Sequence, residues 1–332
     1  MNPNNRRKAL LTLASALTVS ALPYARAQTD YPNRAIRLIV AFPAGAPTDQ
    51  MARIVAQGLA VRLSQPVIVE NRPGASGAIG TEYAARAAAD GYTFLFGTVD
   101  TQVVLPLVNP RLSFDPARQF ESIVGIAKLP GILVSRMGFA GNNGEDLIRM
   151  AREKPSSISF ASWGIGSVAH VAMAMLETSG GIELLHVPFQ GVAPALAQVL
   201  GNQIDLMFLP VPFALAQEKA GKVKILGAGT RSRPAIAPQI RTLDEQGFTR
   251  FDSDTWFGLF SPTGVSSPIR ERVNREVNAV LMLPEVQTAL RELGADPVLG
   301  GSIADLDGLL RRENLRWGQV VRDKKIQIQL QS

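Results

Sequence analysis

The 332-residue chain contains no cysteine and has two histidines, His170 and His186. Without cysteine it has no disulfide, no thiolate metal site, no thiol nucleophile and no residue to carry a lipid anchor. It also lacks the HExxH motif of zinc sites, the GxSxG motif of hydrolases and the glycine patterns of nucleotide-binding loops. We therefore expect no metal, no cofactor and no catalytic residue. An exported hydrolase that uses one of the two histidines stays a minor alternative.

The first 27 residues have the organisation of an export signal. Basic residues near the start precede an apolar run from Ala9 to Leu22, and Pro23 and the small-residue site Ala25-Arg26-Ala27 follow it. This order is typical of a signal peptide, and the apolar run is too short to span a bilayer. We predict cleavage after Ala27 and a periplasmic protein without a lipid anchor. The pair Arg6-Arg7 leaves open whether export uses the Sec or the twin-arginine route.

Cleavage at this site would change the charge of the protein. The full chain carries 34 Lys+Arg and 28 Asp+Glu, which gives a net charge of +6. The signal segment holds four of the basic residues and no acidic one, so the net charge of the mature chain falls to +2. A charge this small does not support nucleic-acid binding, and it is compatible with anionic solutes.

Alternating strand and helix patterns predict an α/β fold. Ile36–Phe42 is a continuous apolar run rich in β-branched residues, typical of a buried parallel strand, and a glycine-rich turn and a helical segment follow it. Further strands are predicted at Val67–Glu70, Tyr92–Gly97, Ile158–Ala161, Glu183–Val187, Ile204–Phe208, Lys224–Ala228 and Trp256–Ser261. We predict two domains, each a mixed, mostly parallel sheet flanked by helices. Because no long linker separates them, the chain should cross between the domains more than once.

Three loops of small residues each follow a predicted strand and precede a predicted helix. They are Pro43–Thr48, Arg72–Gly77 and Ser162–Ser167. Helix N-termini present unpaired N–H groups and a partial positive charge, and glycine and alanine let a ligand approach the backbone. At the carboxyl ends of strands, such loops would form an anion clamp that needs no arginine. Taken singly, each loop is explained by helix capping or by a turn. The presence of three such loops at corresponding places is what indicates a site.

Short motifs in a fixed order resemble those of a known family. They are Tyr31-Pro32, Phe42-Pro43-Ala44-Gly45, Thr48-Asp49, Glu70–Ala75, Asp90–Thr93, Gly97-Thr98, His186–Ala195, Gln203–Phe208 and Trp256–Leu259. Each motif alone is weak, but their order over nearly the whole mature chain is specific. From about Tyr31 to its end, the chain resembles the Bug family, the TctC-like extracytoplasmic solute receptors of tripartite tricarboxylate transporters.

The resemblance implies a periplasmic binding-protein fold of type II. Domain 1 would comprise residues 28–128 and 254–332, domain 2 would comprise residues 129–253, and the ligand cleft would lie between them. The resemblance also implies that strand-end loops of both domains hold a ligand carboxylate, partly through ordered waters. With neighbouring residues of the same loops included, the candidate ligand-binding residues are Phe42, Ala44, Gly45, Thr48, Asp49, Ala75, Ser76, Gly77, Thr98, Asp100, Ser162, Trp163, Gly166, Ser167, His170, Gly191, Ala193 and Asp205.

Three residues depart from the usual pattern of the family. Pro47 stands where the first loop usually has a small hydroxyl residue, and it stiffens the loop and removes one N–H. Trp163 replaces a small residue, and it is either a packing residue or a platform for a flat ligand. Asp100 stands where the family favours neutral residues. It either caps a helical turn or, if it faces the cleft, binds the ammonium group of an amino-acid-like ligand.

We predict a monomeric periplasmic solute-binding protein that captures a small organic carboxylate, such as a di- or tricarboxylate, an amino acid or an aromatic acid. As the resemblance implies, it would deliver this ligand to membrane transporter components in a transient complex. No nucleic-acid partner is expected. A ligand-loaded sensor that acts on a membrane signalling protein would have the same fold and stays an alternative.

Overall fold

The computed structural model describes residues 31–189, 191–295 and 298–328. The predicted export signal over residues 1–27 lies outside the described residues. In the described ranges, the chain from Arg34 onward forms one compact unit, to which all the elements below belong. Within the described ranges, no helix is both long and apolar enough to cross a membrane.

The strands of the described chain are short and carry mostly buried side chains. They are β1 (Ile36–Val40), β2 (Val67–Asn71), β3 (Thr93–Thr98), β4 (Phe120–Leu129), β5 (Gly131–Arg136), β6 (Ser159–Ser162), β7 (Leu185–Pro188), β8 (Leu206–Pro210), β9 (Val223–Ala228), β10 (Thr255–Pro262) and β11 (Val298–Gly300).

The helices lie between these strands and close the chain. They are α1 (Pro47–Leu63), α2 (Ala78–Ala85), α3 (Leu105–Val108), α4 (Pro116–Gln119), α5 (Gly144–Glu153), α6 (Val168–Gly180), α7 (Val192–Leu200), α8 (Val211–Lys219), α9 (Ser267–Leu281), α10 (Pro284–Glu292) and α11 (Ile303–Asp323). A 3₁₀ turn over Ala75–Gly77 precedes α2, and a π-helical turn over Asp100–Val104 precedes α3.

Local sequence explains where several helices begin. Pro47 occupies the first turn of α1, where its missing N–H costs no hydrogen bond. Ser167 caps α6 by accepting a hydrogen bond from the backbone N–H of His170. Ser302 and Asp305 form a capping box at the start of α11, which satisfies two backbone N–H groups reciprocally.

The first sheet has six strands in the order β11-β4-β10-β3-β1-β2. Strand β1 pairs in parallel with β2 and with β3, so the carboxyl ends of these three strands lie at one edge. Strand β10 returns antiparallel between β3 and β4, and β11 pairs antiparallel with β4. The edge where β1, β2 and β3 end is therefore where the first two candidate loops and the residues after β3 lie together.

The second sheet has five strands in the order β7-β6-β8-β5-β9. Strand β6 pairs in parallel with β7 and β8, whereas β5 pairs antiparallel with β8 and β9. The prediction of two mixed sheets flanked by helices is confirmed. In each sheet four strands run in the same direction, whereas β10 and β11 of the first sheet and β5 of the second run against them, a pairing that no local pattern specifies.

The chain passes between the two sheets twice. Pro130 joins β4 to β5, and residues 229–254 join β9 to β10. The second passage hydrogen-bonds to the strand that follows the first, since the N–H of Gly229 donates to the carbonyl of Gly131, the first residue of β5, at 2.7 Å. Within the second passage, the N–H of Ser253 donates to the carbonyl of Gly229 at 2.7 Å. Helix α11 packs against β4 of the first sheet and against α6.

Gly80 of α2 lies in close contact with the backbone of the first-sheet edge. A Cβ atom there would lie 2.5 Å from the carbonyl oxygen of Arg72 and 2.8 Å from Cα of Ala41. We expect Gly80→Ala to lower the free energy of unfolding by about 1–3 kcal/mol in urea denaturation, because the crowded atoms are backbone. This reverses the gain of about 0.5–1 kcal/mol that the same change gives in an open helix position.

Gly308→Ala in α11 is the matched control. Its added Cβ would meet the mobile end of Arg312, at 3.3 Å from Nη1. We expect this variant to be as stable as the unmodified protein or slightly more stable. A Gly80→Ala protein as stable as the control would contradict the packing of α2 on the sheet edge.

Candidate ligand-binding site

The loop after β1 is held in shape by the carboxylate of Asp49. Its oxygens accept hydrogen bonds from the N–H of Gly45 at 2.8 Å and from the side chain of Asn71 at 2.9 Å, and they form an ion pair with Arg53 at 2.9 Å. Burial alone would raise the pKa of Asp49, but these bonds outweigh it and hold the pKa below its ordinary value. The carboxylate has its partners within the protein, so Asp49 positions the loop.

Thr48 is the polar side chain of this loop that lacks a partner. It is 7 % exposed, and its hydroxyl makes no hydrogen bond within the described part of the chain. It stands in the first turn of α1, which has no side-chain cap, because the residue before the helix is Ala46. An unpartnered hydroxyl beside free helix-start amides is suited to a polar ligand atom. Phe42 beside it is half-buried, and Ala44 and Gly45 are exposed.

The second loop has an unusual backbone. Gly74, Ala75, Ser76 and Gly77 all have positive φ, at 130°, 47°, 54° and 94°. Two of them carry a Cβ, and such conformations are costly enough to indicate a functional constraint. Gly77 also tolerates no side chain, since a Cβ would lie 2.8 Å from Cγ2 of Thr101 and 3.4 Å from Cζ of Phe42. This contact joins the loops that follow β1, β2 and β3.

Thr98 and Asp100 end β3 and begin the π-helical turn. Thr98 is 1 % exposed and exchanges hydrogen bonds with Thr101, so it stabilises the turn. Asp100 is half-buried. Burial raises its pKa to about 6, although the amide of Val168, at the start of α6, and the hydroxyl of Thr98 favour its charged form. Asp100 therefore reaches from the first-sheet edge to a helix beside the second sheet.

The loop after β6 is occupied mainly by contacts within the protein. Ser167 caps α6 and donates its hydroxyl hydrogen to the carbonyl of Gly164 at 2.7 Å. A Cβ on Gly166 would lie 2.8 Å from Cγ2 of Val108 and 2.9 Å from Cγ1 of Ile328. The N-terminus of α6 thus already has a serine cap and the neighbouring Asp100 carboxylate, which leaves little free capacity for a ligand anion.

The two histidines of the chain are stacked on each other. Their ring centroids lie 3.9 Å apart, and Phe160 stacks on His186 at 4.8 Å. Nδ1 of His170 accepts the N–H of Gly166 at 3.1 Å. Burial lowers the pKa of both imidazoles to about 4, and the proximity of His186 contributes to the shift at His170. Both rings are therefore neutral at neutral pH.

His186 has a serine neighbour that the sequence did not reveal. The hydroxyl oxygen of Ser162 lies 2.6 Å from Nε2 of His186, across adjacent parallel strands. Sheet pairing here brings together two residues that are 24 positions apart in the sequence. An imidazole with a pKa of about 4 is a weak general base at neutral pH, so the pair has a structural role.

Trp163 follows Ser162 and is half-buried between two hydrophobic clusters of the core. It also lines an apolar cavity of about 60 Å³ together with Phe208 and residues of both inter-sheet passages, Leu129–Gly131 and Ser253. Trp163 thus packs against the core, as the first of the two alternatives predicts, and it also lines this cavity. That cavity has room for a small apolar group.

The remaining candidates lie at opposite ends of the second sheet. Gly191, with φ at 115°, precedes α7, which has no side-chain cap, and Ala193 in its first turn is exposed. Asp205 instead contacts the amino end of β6, where it accepts the N–H of Ser159 at 2.8 Å and pairs with Arg136 at 2.8 Å. Asp205 immediately precedes β8, so it lies at the amino end of that strand, beside the start of the parallel strand β6. The structure therefore separates Asp205 from the candidates that follow strands. No group of residues suited to hold a metal ion occurs among the described ranges.

Two mixed sheets joined by two passages, with loops of small residues at their strand ends, define a solute-binding protein of the periplasmic type. Over residues 51–326 the chain matches the family described as TctC, tripartite tricarboxylate transporter family receptor. The chain belongs to this family of solute receptors. The predictions of the family and of a receptor that is not an enzyme are confirmed.

Similar proteins cover nearly the whole chain. The "UPF0065 protein in tcbD-tcbE intergenic region" of Pseudomonas sp. (strain P51) is 33% identical over 322 residues, 97% of this chain and 95% of the relative. The structure of R. palustris Rpa4515 with adipate is 30% identical with a TM-score of 0.81, covering 90% of this chain and 99% of that one. MatC (Rpa3494) from Rhodopseudomonas palustris with bound malate is 29% identical with a TM-score of 0.75, covering 88% and 100%.

Proposed function

We propose that this receptor binds a small organic carboxylate between the strand-end loops of its two sheets and delivers it to a membrane transporter. The observation that carries this proposal is the hydroxyl of Thr48, which has no hydrogen-bond partner in the described chain although the residue is 7 % exposed, at the uncapped start of α1. Relatives whose structures hold adipate and malate support a carboxylate as the ligand. The uncapped start of α7 supplies a second set of free amides for it.

The proposed function requires two domains that close around the ligand, and the domain division predicted from the sequence provides them. Residues 28–128 and 254–332 would form one domain and residues 129–253 the other, with hinge closure around the ligand. The two passages between the sheets, which fall at Pro130 and at residues 229–254, support this division. We further propose that the protein is a periplasmic monomer released by cleavage after Ala27, and mass spectrometry of the exported protein should give a chain that begins at Gln28.

Replacing Thr48 by valine tests the site. Valine keeps the shape of threonine but removes the hydroxyl, and a hydrogen bond to a charged group contributes about 1.5–3 kcal/mol. We expect the variant to bind its carboxylate ligand on the order of 10 times more weakly in calorimetric titration. The first step is a thermal-shift panel of malate, adipate, citrate, aspartate, glutamate and benzoate, from which the ligand for titration is chosen.

Thr178→Val is the matched control, because the hydroxyl of Thr178 donates to the carbonyl of Ala174 within α6. This variant should bind as the unmodified protein does. Equal binding by Thr48→Val and the control would contradict the placement of the site, and an absence of any thermal shift across the panel would contradict carboxylate binding itself.

A further inference from the structure

Asp100 differs from the four fully buried carboxylates of the described chain in having no cationic partner. The four buried ones, Asp49, Asp252, Asp254 and Glu313, each have an arginine or lysine within salt-bridge distance. Asp100 has none among the described residues, and its neighbours are the hydroxyl of Thr98 at 3.5 Å and the amide of Val168. Its negative charge is therefore not matched by a positive side chain.

Asp254 provides the closest comparison. Among the described acidic residues, Asp254 and Asp100 are the two whose pKa is raised, in both cases to about 6 and mainly by burial. Asp254 has Nζ of Lys128 at 3.1 Å. Asp100 lies in surroundings that disfavour its charge to a similar degree without any such cation. Since a pKa of about 6 is below neutral pH, most molecules still carry this charge at pH 7.

The arginines of the first-sheet loops do not supply the missing charge. Arg53 pairs with Asp49 and donates to the side chain of Asn71 at 3.1 Å. Arg72 pairs with Glu70 and lies over the ring of Tyr83, 3.6 Å from its centroid. Both guanidinium groups are engaged with other partners, so neither supplies a positive charge to Asp100.

Asp100 lies among the strand-end loops of the proposed site. It follows β3, the strand next to β1, and its turn contacts the other two first-sheet loops through Thr101 and Gly77. On its other side lies Val168, which begins α6 and lines the same apolar cavity as Trp163. The π-helical turn that Asp100 begins is a rare backbone form that is frequent at functional sites.

We propose that Asp100 binds a positively charged nitrogen of the ligand, so that this receptor selects carboxylates that also carry an amine. This inference rests on the proposed function, because it assigns the ligand class of the same site. The carboxylate of the ligand binds to the hydroxyl of Thr48 and free backbone amides, and its ammonium group donates to Asp100. A charge-assisted hydrogen bond of this kind is stronger than a neutral one.

Matched ligand pairs test the proposal. Calorimetric titration at pH 7.5 compares aspartate with succinate and glutamate with glutarate, which differ in the amine alone. We expect the amino acid of at least one pair to bind about tenfold or more tightly than its partner. In Asp100→Asn this ratio should fall to near one, through weaker binding of the amino acid. Glu285→Gln, which removes an equal charge from an exposed position of α10, should leave the ratio unchanged.

Two results would overturn the assignment of Asp100 and leave carboxylate binding intact. One is binding of succinate or glutarate as tight as that of the amino acid, as expected if Asp100 is protonated and donates to a second carboxylate. The other is an equal loss for both members of a pair in Asp100→Asn. If no carboxylate binds at all, the proposed function and this inference both fail. If Asp100→Asn folds poorly, the comparison of ligand pairs on the unmodified protein still tests whether the receptor selects carboxylates that carry an amine.

Discussion

Replacing Arg316 by alanine is expected to lower the free energy of unfolding by about 3–5 kcal/mol. Arg316 lies on α11, and its guanidinium pairs with Asp252, 2.8 Å from Nη1, and with Glu313. Both carboxylates are 6 % exposed. Removing the arginine leaves two buried carboxylates with fewer positive partners. The free-energy cost of these unpaired charges is larger than the stabilisation that the intact ion pairs contribute. Arg231 also contacts Asp252, but its side chain is 74% exposed.

Urea denaturation of three variants separates this effect from a general loss of charge. Arg316→Lys keeps the charge but not the planar fork that reaches both carboxylates, so it should fall between alanine and the unmodified protein. Arg311→Ala removes an exposed arginine of the same helix that makes no ion pair within the described ranges, and it should change stability by less than about 0.5 kcal/mol. Arg316→Ala and Arg311→Ala proteins of equal stability would show that the cluster contributes little.

This cluster joins three parts of the chain that the sequence does not bring together. Asp252 and Asp254 lie in the second passage between the sheets, Lys128 ends β4 before the first passage, and Arg316 belongs to the last helix. The indole N–H of Trp317 donates to Glu313 at 2.8 Å, which attaches the cluster to the core. The passages that we propose as hinges are therefore fixed on one side by buried charges.

Much of the fold could be predicted because its signals are local. The apolar run after Tyr92 predicts a strand at Tyr92–Gly97, and the structure has β3 at Thr93–Thr98. The last helix spans Ile303–Asp323, and its capping box and apolar periodicity are local signals of this kind. The strand pairing could not be predicted in the same way. The insertion of β10 between β3 and β4 depends on contacts between distant segments.

The candidate site also has features that the local sequence predicts and features that depend on contacts between distant segments. That the loops after β1 and β2 end at one sheet edge follows from the parallel strand pattern, and the structure has them there. The partners of each polar side chain could not be read from the sequence. Asp49 has hydrogen-bond and ion-pair partners within the protein, whereas Thr48 beside it has no partner in the described chain, although both occupy the first turn of α1. The difference arises because Asn71 at the end of β2 and Arg53 one turn further along α1 both reach Asp49.

Acidification is expected to destabilise the protein through the stacked histidines. The pKa of His170 and of His186 in the folded protein is about 4, against an ordinary value of 6.5. The unfolded chain therefore binds protons first as the pH falls. The stability that the neutral rings contribute is complete above about pH 6.5 and is lost between 6.5 and 4. Protonation of Nδ1 of His170 would also break its hydrogen bond from Gly166.

The expected loss for the pair is about 2–4 kcal/mol between pH 7 and pH 4. The full pKa shift of each histidine would contribute about 3 kcal/mol. We reduce the total for the two histidines because both rings are half-buried and solvent screens part of the effect. Asp100 and Asp254 act in the opposite direction. Burial raises the pKa of both to about 6, so the folded state takes up their protons first and gains stability as the pH falls toward 4.

Substituting the histidines separates the two contributions. In His170→Gln/His186→Gln, glutamine keeps hydrogen-bonding capacity without titrating, so the loss between pH 6.5 and 4 should disappear and the gain from the two aspartates should remain. Urea denaturation of this variant and of the unmodified protein at half-unit steps from pH 7.5 to 4 measures the difference directly. Asp100→Asn should change the same curve in the opposite sense, by reducing the gain. If the free energy of unfolding changes with pH in the same way for the double variant and the unmodified protein, the stacked rings titrate as they do in the unfolded chain.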